Sequence, residues 1–213
     1  MTMFDIALRG WKDGLVDPIS RGVPPFITPT RITLVAFVCG LLSCLLAMVP
    51  GYGKMAVGFW LLNRSLDCLD GSVARVRNCA TQLGGFLDLL SDFIVYSLLP
   101  IAIARGQSGE AVQVDWTALA MLEASFHVNN FVLFYLAAVA ADKRDGELTS
   151  VTMKPALIEG FESGLLFTMM LVWPAQISLW AKVMAVGVAF GTLQRVWTII
   201  PVLTRLDSLM KSD

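Results

Sequence analysis

The stretch DCLDGSVARVRNCATQLGGFLDLLSD, residues 67–92, decides how this chain is read. It sets four carboxylates, Asp67, Asp70, Asp88 and Asp92, between apolar segments of a length suited to crossing a membrane. Asp67 and Asp70 are three residues apart and Asp88 and Asp92 four apart, so on helices each pair projects from one face. Two such helices set side by side would converge four acids on one point. Carboxylates at membrane depth are costly unless they are paired or hold a cation, so a cluster of them points to function. Hard oxygen ligands of this kind suit Mg²⁺, Mn²⁺ or Ca²⁺ rather than zinc.

Between the acid pairs stand Gly71, Ala74, Arg75 and Gly84, in the order D-x2-D-G-x2-A-R-x8-G-x3-D-x3-D. Small residues at 71 and 74 leave space beside the helix for a nucleotide ring or a neighbouring backbone. Gly84 lies one turn before Asp88, where it would let the second helix approach closely. Arg75 offers a planar guanidinium suited to bidentate phosphate contact; its plainer role is snorkelling to lipid head groups. With all eight fixed positions present, residues 67–92 resemble the signature of the CDP-alcohol phosphotransferase family. The layout of the remaining chain is similar too.

The resemblance implies an integral membrane enzyme that moves a substituted phosphoryl group from a CDP-linked donor to an alcohol and releases CMP. It implies that Asp67, Asp70 and Asp88 hold one or two divalent cations, Mg²⁺ or Mn²⁺, on the diphosphate. Asp92 is then the catalytic base, itself near a metal. By the same resemblance Gly71, Ala74, Arg75, Thr81 and Gly84 line the CDP site together with Asp67. The division is chemically sensible: metals stabilise the leaving group while a free carboxylate takes the attacking hydroxyl's proton. The plainer alternative is four acids salt-bridged to Arg64, Arg75 and Arg77 in a channel or receptor.

Composition bounds the answer independently. Of 213 residues 56% are hydrophobic and 15% charged, and mean hydropathy is +0.68, too apolar for an ordinary soluble domain. A net charge of −1 argues for no nucleic-acid partner. Cys39, Cys44, Cys68 and Cys79 show no C-x2-C pattern and read as buried small hydrophobes. Hydropathy predicts an all-α integral membrane protein, a single domain over 1–213, with transmembrane helices near 31–49, 54–77, 83–104, 115–140, 155–173 and 176–203. Cations concentrate at the N-terminus, the 75–82 turn, the 141–154 loop and the tail, which places both termini and the mouth of the acid cluster on the cytoplasmic side.

Ahead of this bundle (31–203), residues 1–22 place Phe4, Leu8, Trp11, Leu15 and Ile19 at helical spacing, with Arg9, Lys12, Asp13 and Asp17 between them. This predicts an amphipathic helix along the membrane surface, packed on its own domain, or both. Too polar for a signal peptide's core, it is expected to be retained. Pro24-Pro25 ends it, and Thr28-Pro29 is a good helix start. In the family the equivalent Thr-Pro step helps hold the cytidine diphosphate, which adds Thr28, Pro29, Thr30 and Arg31 to the implied donor site. Thr30 stands where the family commonly has Asp or Asn; Thr33 keeps a later hydroxyl.

Further polar residues lie within the later helices. His127 is more readily an interior hydrogen-bonded residue than a ligand, and Arg64 has no assigned role beyond pairing with an acid. Related enzymes bind a phosphorylated acceptor with basic residues at the cytoplasmic ends of the last helices, which nominates Lys154 and Arg195, with Arg144 outside them. Pairing of Arg195 with Glu159 or Glu162 is the competing account.

Three functions remain open. One is transfer of a phosphatidyl group from CDP-diacylglycerol to a small polar alcohol such as glycerol 3-phosphate, inositol phosphate, inositol or serine. The second reverses the lipid roles, with CDP-choline or CDP-ethanolamine and diacylglycerol, or uses a lipid acceptor. The third is a non-catalytic scaffold or transporter, against which the intact acid quartet argues. The compact length favours the first. Relatives form homodimers, so a homodimer is implied, with no contact face legible in the sequence.

Overall fold

The computed structural model describes residues 16–108, 112–143 and 160–210, and all of their regular elements are helices. A short helix over 16–22 precedes α1 (Pro29–Ala47), α2 (Gly53–Val76), α3 (Gln82–Gln107), α4 (Trp116–Lys143), α5 (Gly160–Val172), a 3₁₀ turn (Pro174–Gln176) and α6 (Ile177–Met210). Arg144, Lys154, Glu159 and residues 1–15 lie outside the described residues.

The helix boundaries follow local chemistry. Thr28, with extended backbone, accepts a hydrogen bond from the Arg31 amide at 3.4 Å, and Pro29 takes the first helical position of α1, where a missing N–H costs nothing. Gly51, at φ 88°, turns the chain from α1 into α2. Asn78, at φ 50°, ends α2: its amide bonds to the Arg75 carbonyl and that of Cys79 to the Ala74 carbonyl, a Schellman closure. Thr81 then caps α3 by accepting from the Gly84 amide at 3.0 Å.

Among the described residues, four helical stretches are long and apolar enough to cross a membrane: Pro29–Ala47, Gln82–Gln107, Trp116–Ala138 and Pro174–Thr204. The other two expected crossings differ for identifiable reasons. At 24 residues α2 spans about 36 Å, but Lys54, Arg64, Asp67, Asp70 and Arg75 interrupt its apolar run. The 13 described residues of α5 cover only part of the expected 155–173 segment, since 155–159 lie outside the described residues. Outward faces of the candidate spans carry Val38, Leu98, Phe131 and Phe190, side chains that lipid solvates and water does not.

Helices α1 and α2 pack along each other, as do α4 and α6; α3 lies against α1, and α5 against α2. The shared core holds Trp60, Val95, Leu99, Ile103, Leu122, Phe167, Met170 and Met184. At its far end from the acid motif, α3 touches the C-terminus of α1 so closely that a Cβ on Gly106 would stand 2.1 Å from the Ala47 carbonyl oxygen. Asp115, just before α4, binds Lys182 Nζ at 2.8 Å and accepts from the Ala118 amide at 3.1 Å. The Lys182 hydrogen bond, ahead of the backbone one, holds its carboxyl below the usual range.

On the helix over 16–22, Ser20 is fully buried while Ile19 is 60% exposed, so the polar side docks on the protein and the one described member of the apolar stripe faces outward. Ser20 donates to Ser72 on α2 (2.8 Å), and Ser72 donates to Asp17 (2.6 Å). Cys39 and Cys44 are buried as expected, but Cys79 is exposed, because the Schellman turn carries it past the end of α2.

Candidate functional site

Asp67 and Asp70 occupy the third- and second-last turns of α2, and Asp88 and Asp92 the second and third turns of α3. The two motif helices are not among the closely packed pairs, contrary to the side-by-side arrangement expected from spacing. Helix α1 packs against both, and α2 meets α3 through side chains, Arg64 reaching Asp92 and Tyr96. Gly84 correspondingly opens toward α1: a Cβ there would meet Thr81 Oγ1 at 3.0 Å and Thr30 Oγ1 at 4.0 Å, with no α2 atom within 4 Å.

The acids have different surroundings. Asp70 is buried, 5% exposed, and its Oδ2 accepts from Thr33 Oγ1 on α1 at 2.5 Å. Asp67 and Asp88, on the facing helices, are near enough for their charges to interact. Asp92 is paired instead with Arg64, whose Nη2 lies 2.6 Å from Asp92 Oδ1 and whose Nη1 lies 3.4 Å from Asp92 Oδ2. Arg64 Nη1 also stands 3.6 Å from Asp67 Oδ2 and donates to the Tyr96 hydroxyl at 2.6 Å.

Like charges brought together in this way favour a cation beside them, and carboxylate oxygens are the hard donors Mg²⁺ or Mn²⁺ takes. The residues present therefore fit a divalent ion. Among the described residues no three are gathered as tightly as a ready-made metal cage. Asp70 is engaged by Thr33 and Asp92 by Arg64.

The donor-site residues named from the motif fall around the same end of the bundle. Gly71 leaves open space next to Arg75: a Cβ there would meet only the Arg75 guanidinium, at 3.3 Å. Arg75 and Thr81 are exposed, and Ala74 lies beside them at the end of α2. Arg31 is turned back on its own loop, donating to the Phe26 carbonyl at 2.7 Å. Arg77 donates to the carbonyls of Val23, Pro24 and Ile27, and so fixes the approach to Thr28 and Pro29. Nothing in the sequence near Arg77 points to this bracing, which joins residues 50 or more apart.

The acceptor candidates separate. Lys154 and Arg144 lie outside the described residues, while Arg195 donates to Asn129 Oδ1 at 3.1 Å, linking α6 to α4. His127 is exposed on α4 and belongs to no acid cluster. Asn63 and Tyr96 were missed by motif reasoning. They flank the quartet at helical spacing, Asn63 one turn before Asp67 and Tyr96 one turn after Asp92, and that spacing was the available signal.

The profile of the family described as CDP-alcohol phosphatidyltransferase, a phosphotransferase family, matches residues 26–193. The chain belongs to that family, which is one of enzymes and in general metal-dependent. It is similar to the inner membrane protein YnjF of Escherichia coli, 35% identical over 179 residues, which is 82% of this chain and 84% of that protein. Shorter matches join it to the CDP-diacylglycerol–serine O-phosphatidyltransferase of Saccharomyces cerevisiae (42% over 67 residues) and the bifunctional IPC transferase and DIPP synthase of Aquifex aeolicus (34% over 97 residues). These cover 30% and 40% of this chain but only 24% and 22% of the respective relatives.

Proposed function

We propose that this protein transfers a phosphatidyl group from CDP-diacylglycerol to a small polar alcohol and releases CMP. The observation that carries the proposal is the convergence of all four motif acids on the gap between α2 and α3, beside the open space at Gly71 and Arg75. A phospholipid-biosynthetic transferase named for CDP-diacylglycerol among the relatives supports this choice of donor.

In this reading Asp67, Asp70 and Asp88 hold the divalent ion, which when bound neutralises the diphosphate and stabilises the departing CMP. Thr28, Pro29, Thr30, Arg31, Gly71, Ala74, Arg75, Thr81 and Gly84 form the wall against which the CDP group rests. Arg75 supplies positive charge to the diphosphate. Asp92 takes the proton of the acceptor hydroxyl as that oxygen bonds to the lipid-side phosphorus and the phosphorus–oxygen bond to CMP breaks. Arg64 engages the two Asp92 oxygens but leaves further lone pairs for that proton. No covalent enzyme intermediate is needed.

The whole chain acts as one membrane domain. Cation placement supports six crossings, with the acid cluster facing the cytoplasm and the N-terminal helix on the membrane surface. Lys154, Arg195 and Arg144 remain the acceptor-binding candidates, and family resemblance supports a homodimer.

The test offers labelled CDP-diacylglycerol to the purified full chain with a panel of acceptors, and follows CMP release with and without Mg²⁺. Metal-dependent CMP release with one soluble alcohol is expected. Release only from CDP-choline or CDP-ethanolamine with diacylglycerol would replace the donor assignment. Asp92→Asn should abolish turnover while donor binding persists, whereas Asp70→Asn should weaken metal-dependent donor binding; comparable activity in either variant refutes its role.

A further inference from the structure

The chain enters α1 through residues 23–27, a turn poor in donors of its own: Pro24 and Pro25 carry no amide hydrogen, and neither does Pro29 just beyond it. Side chains supply what the backbone lacks. Arg77, the residue that closes α2, donates through Nη1 to the Ile27 carbonyl at 2.8 Å and through Nη2 to the carbonyls of Val23 and Pro24, the latter at 3.3 Å. Arg31 donates to the Phe26 carbonyl at 2.7 Å. Within the turn itself the Ile27 amide reaches the Pro24 carbonyl at 3.0 Å. A planar fork that meets three carbonyls fixes the direction of the turn as well as its distance from α2, which a single bond would leave free.

The fork joins two parts of the molecule that matter to the donor. Ile27 is followed at once by Thr28, and Arg75 stands just before the end of α2, so these bonds run between the two edges of the proposed CDP site. A separate tie, from Ser20 to Ser72 and from Ser72 to Asp17, secures the helix over 16–22 and lies on the other side of Gly22 from the turn. We propose that Arg77 is a positioning residue for the CDP group, keeping the Thr28–Arg31 edge in register with the Gly71–Arg75 edge so that one nucleoside diphosphate lies against both. The inference rests on the donor-site reading above and adds how its two edges, distant in sequence, are held for one ligand. The hydrogen bonds of Arg77 go to backbone carbonyls, so it acts through the wall of the site rather than on the reacting atoms. Its physical basis is preorganisation: without the fork the turn has to be ordered when the donor arrives, and binding bears that cost. The acids that carry the chemistry are held by other partners, Thr33 and Arg64, so the step after binding is little affected.

The experiment is CDP-diacylglycerol binding to the full-length protein in detergent with Mg²⁺, by titration calorimetry, alongside Mn²⁺ binding and the KM and kcat of CMP release. Arg77→Gln should weaken donor binding about tenfold and raise the donor KM to match, with kcat and Mn²⁺ affinity within about twofold of wild type. Arg77→Lys, whose single ammonium cannot serve three carbonyls at once, should lose about threefold. Ser20→Ala, which loosens the helix over 16–22 without touching the turn, should leave donor affinity within about twofold. Unchanged donor affinity in Arg77→Gln, a fall in kcat with KM unmoved, or an equal loss of Mn²⁺ and donor binding would each overturn this inference alone. So would a loss in Ser20→Ala as large as that in Arg77→Gln. Should Arg77→Gln not fold, Arg77→Lys decides, and wild-type affinity there overturns the inference. A wild-type protein that binds no CDP-diacylglycerol in the presence of Mg²⁺ would overturn the donor reading itself.

Discussion

Replacing Thr33 by valine tests how the acid cluster is held in place. The hydroxyl of Thr33 donates to Asp70 Oδ2 at 2.5 Å, and both residues are 5% exposed, so water cannot substitute for the lost donor. The same oxygen lies 3.2 Å from the Pro29 carbonyl, but one proton serves one strong bond, and the short contact to the carboxylate takes it. Valine matches threonine in shape, so packing of α1 on α2 is retained while Asp70 loses the Thr33 donor. A hydrogen bond to a charged group contributes about 1.5–3 kcal/mol, and with burial this deep no discount for solvent applies. In metal-free detergent solution Thr33→Val should therefore melt several degrees below wild type, with Thr33→Ser close to wild type. Adding Mn²⁺ should narrow the gap, since the cation gives the orphaned carboxylate a new partner. A Thr33→Val protein melting with wild type in the absence of metal would refute the role given to this bond.

Gly106→Ala should destabilise by about 1–3 kcal/mol or more, because its Cβ would collide with the backbone of Ala47, which cannot rotate away; the melting temperature reports it. The pair of Asp115 with Lys182 gives a pH-dependent prediction. The folded carboxyl sits below its unfolded value, so its contribution is present above the ordinary carboxylate range of about 4 and is lost as pH falls through the lower folded value. Asp115→Asn should accordingly melt below wild type at neutral pH, and the difference should close only in that acid range.

Much of the site was legible in the chain because its chemistry is local. Threonine before proline, asparagine after a last helical turn and threonine before Gln82 each mark a helix end through contacts within a few residues. The acid pairs share a helix face for the same reason, since a period of 3.6 residues needs no tertiary information. The six helices follow from apolar runs, although the polar content of α2 removes it from the segments that qualify as spans by hydropathy.

What spacing could not supply was the relation between helices. That α2 and α3 meet through long side chains while α1 packs against both depends on how three surfaces pack. So do the turning of Gly84 toward Thr30 and the bracing of the loop over 23–27 by Arg77, which spans 50 or more residues. The partner of each acid was settled at the same level. From the sequence the four carboxylates are alike, and only tertiary packing gives Asp70 to a hydroxyl, Asp92 to an arginine and Asp67 to Asp88. Helix formation responds to neighbours along the chain, whereas the choice of a counter-charge responds to whatever the fold brings within a few ångströms.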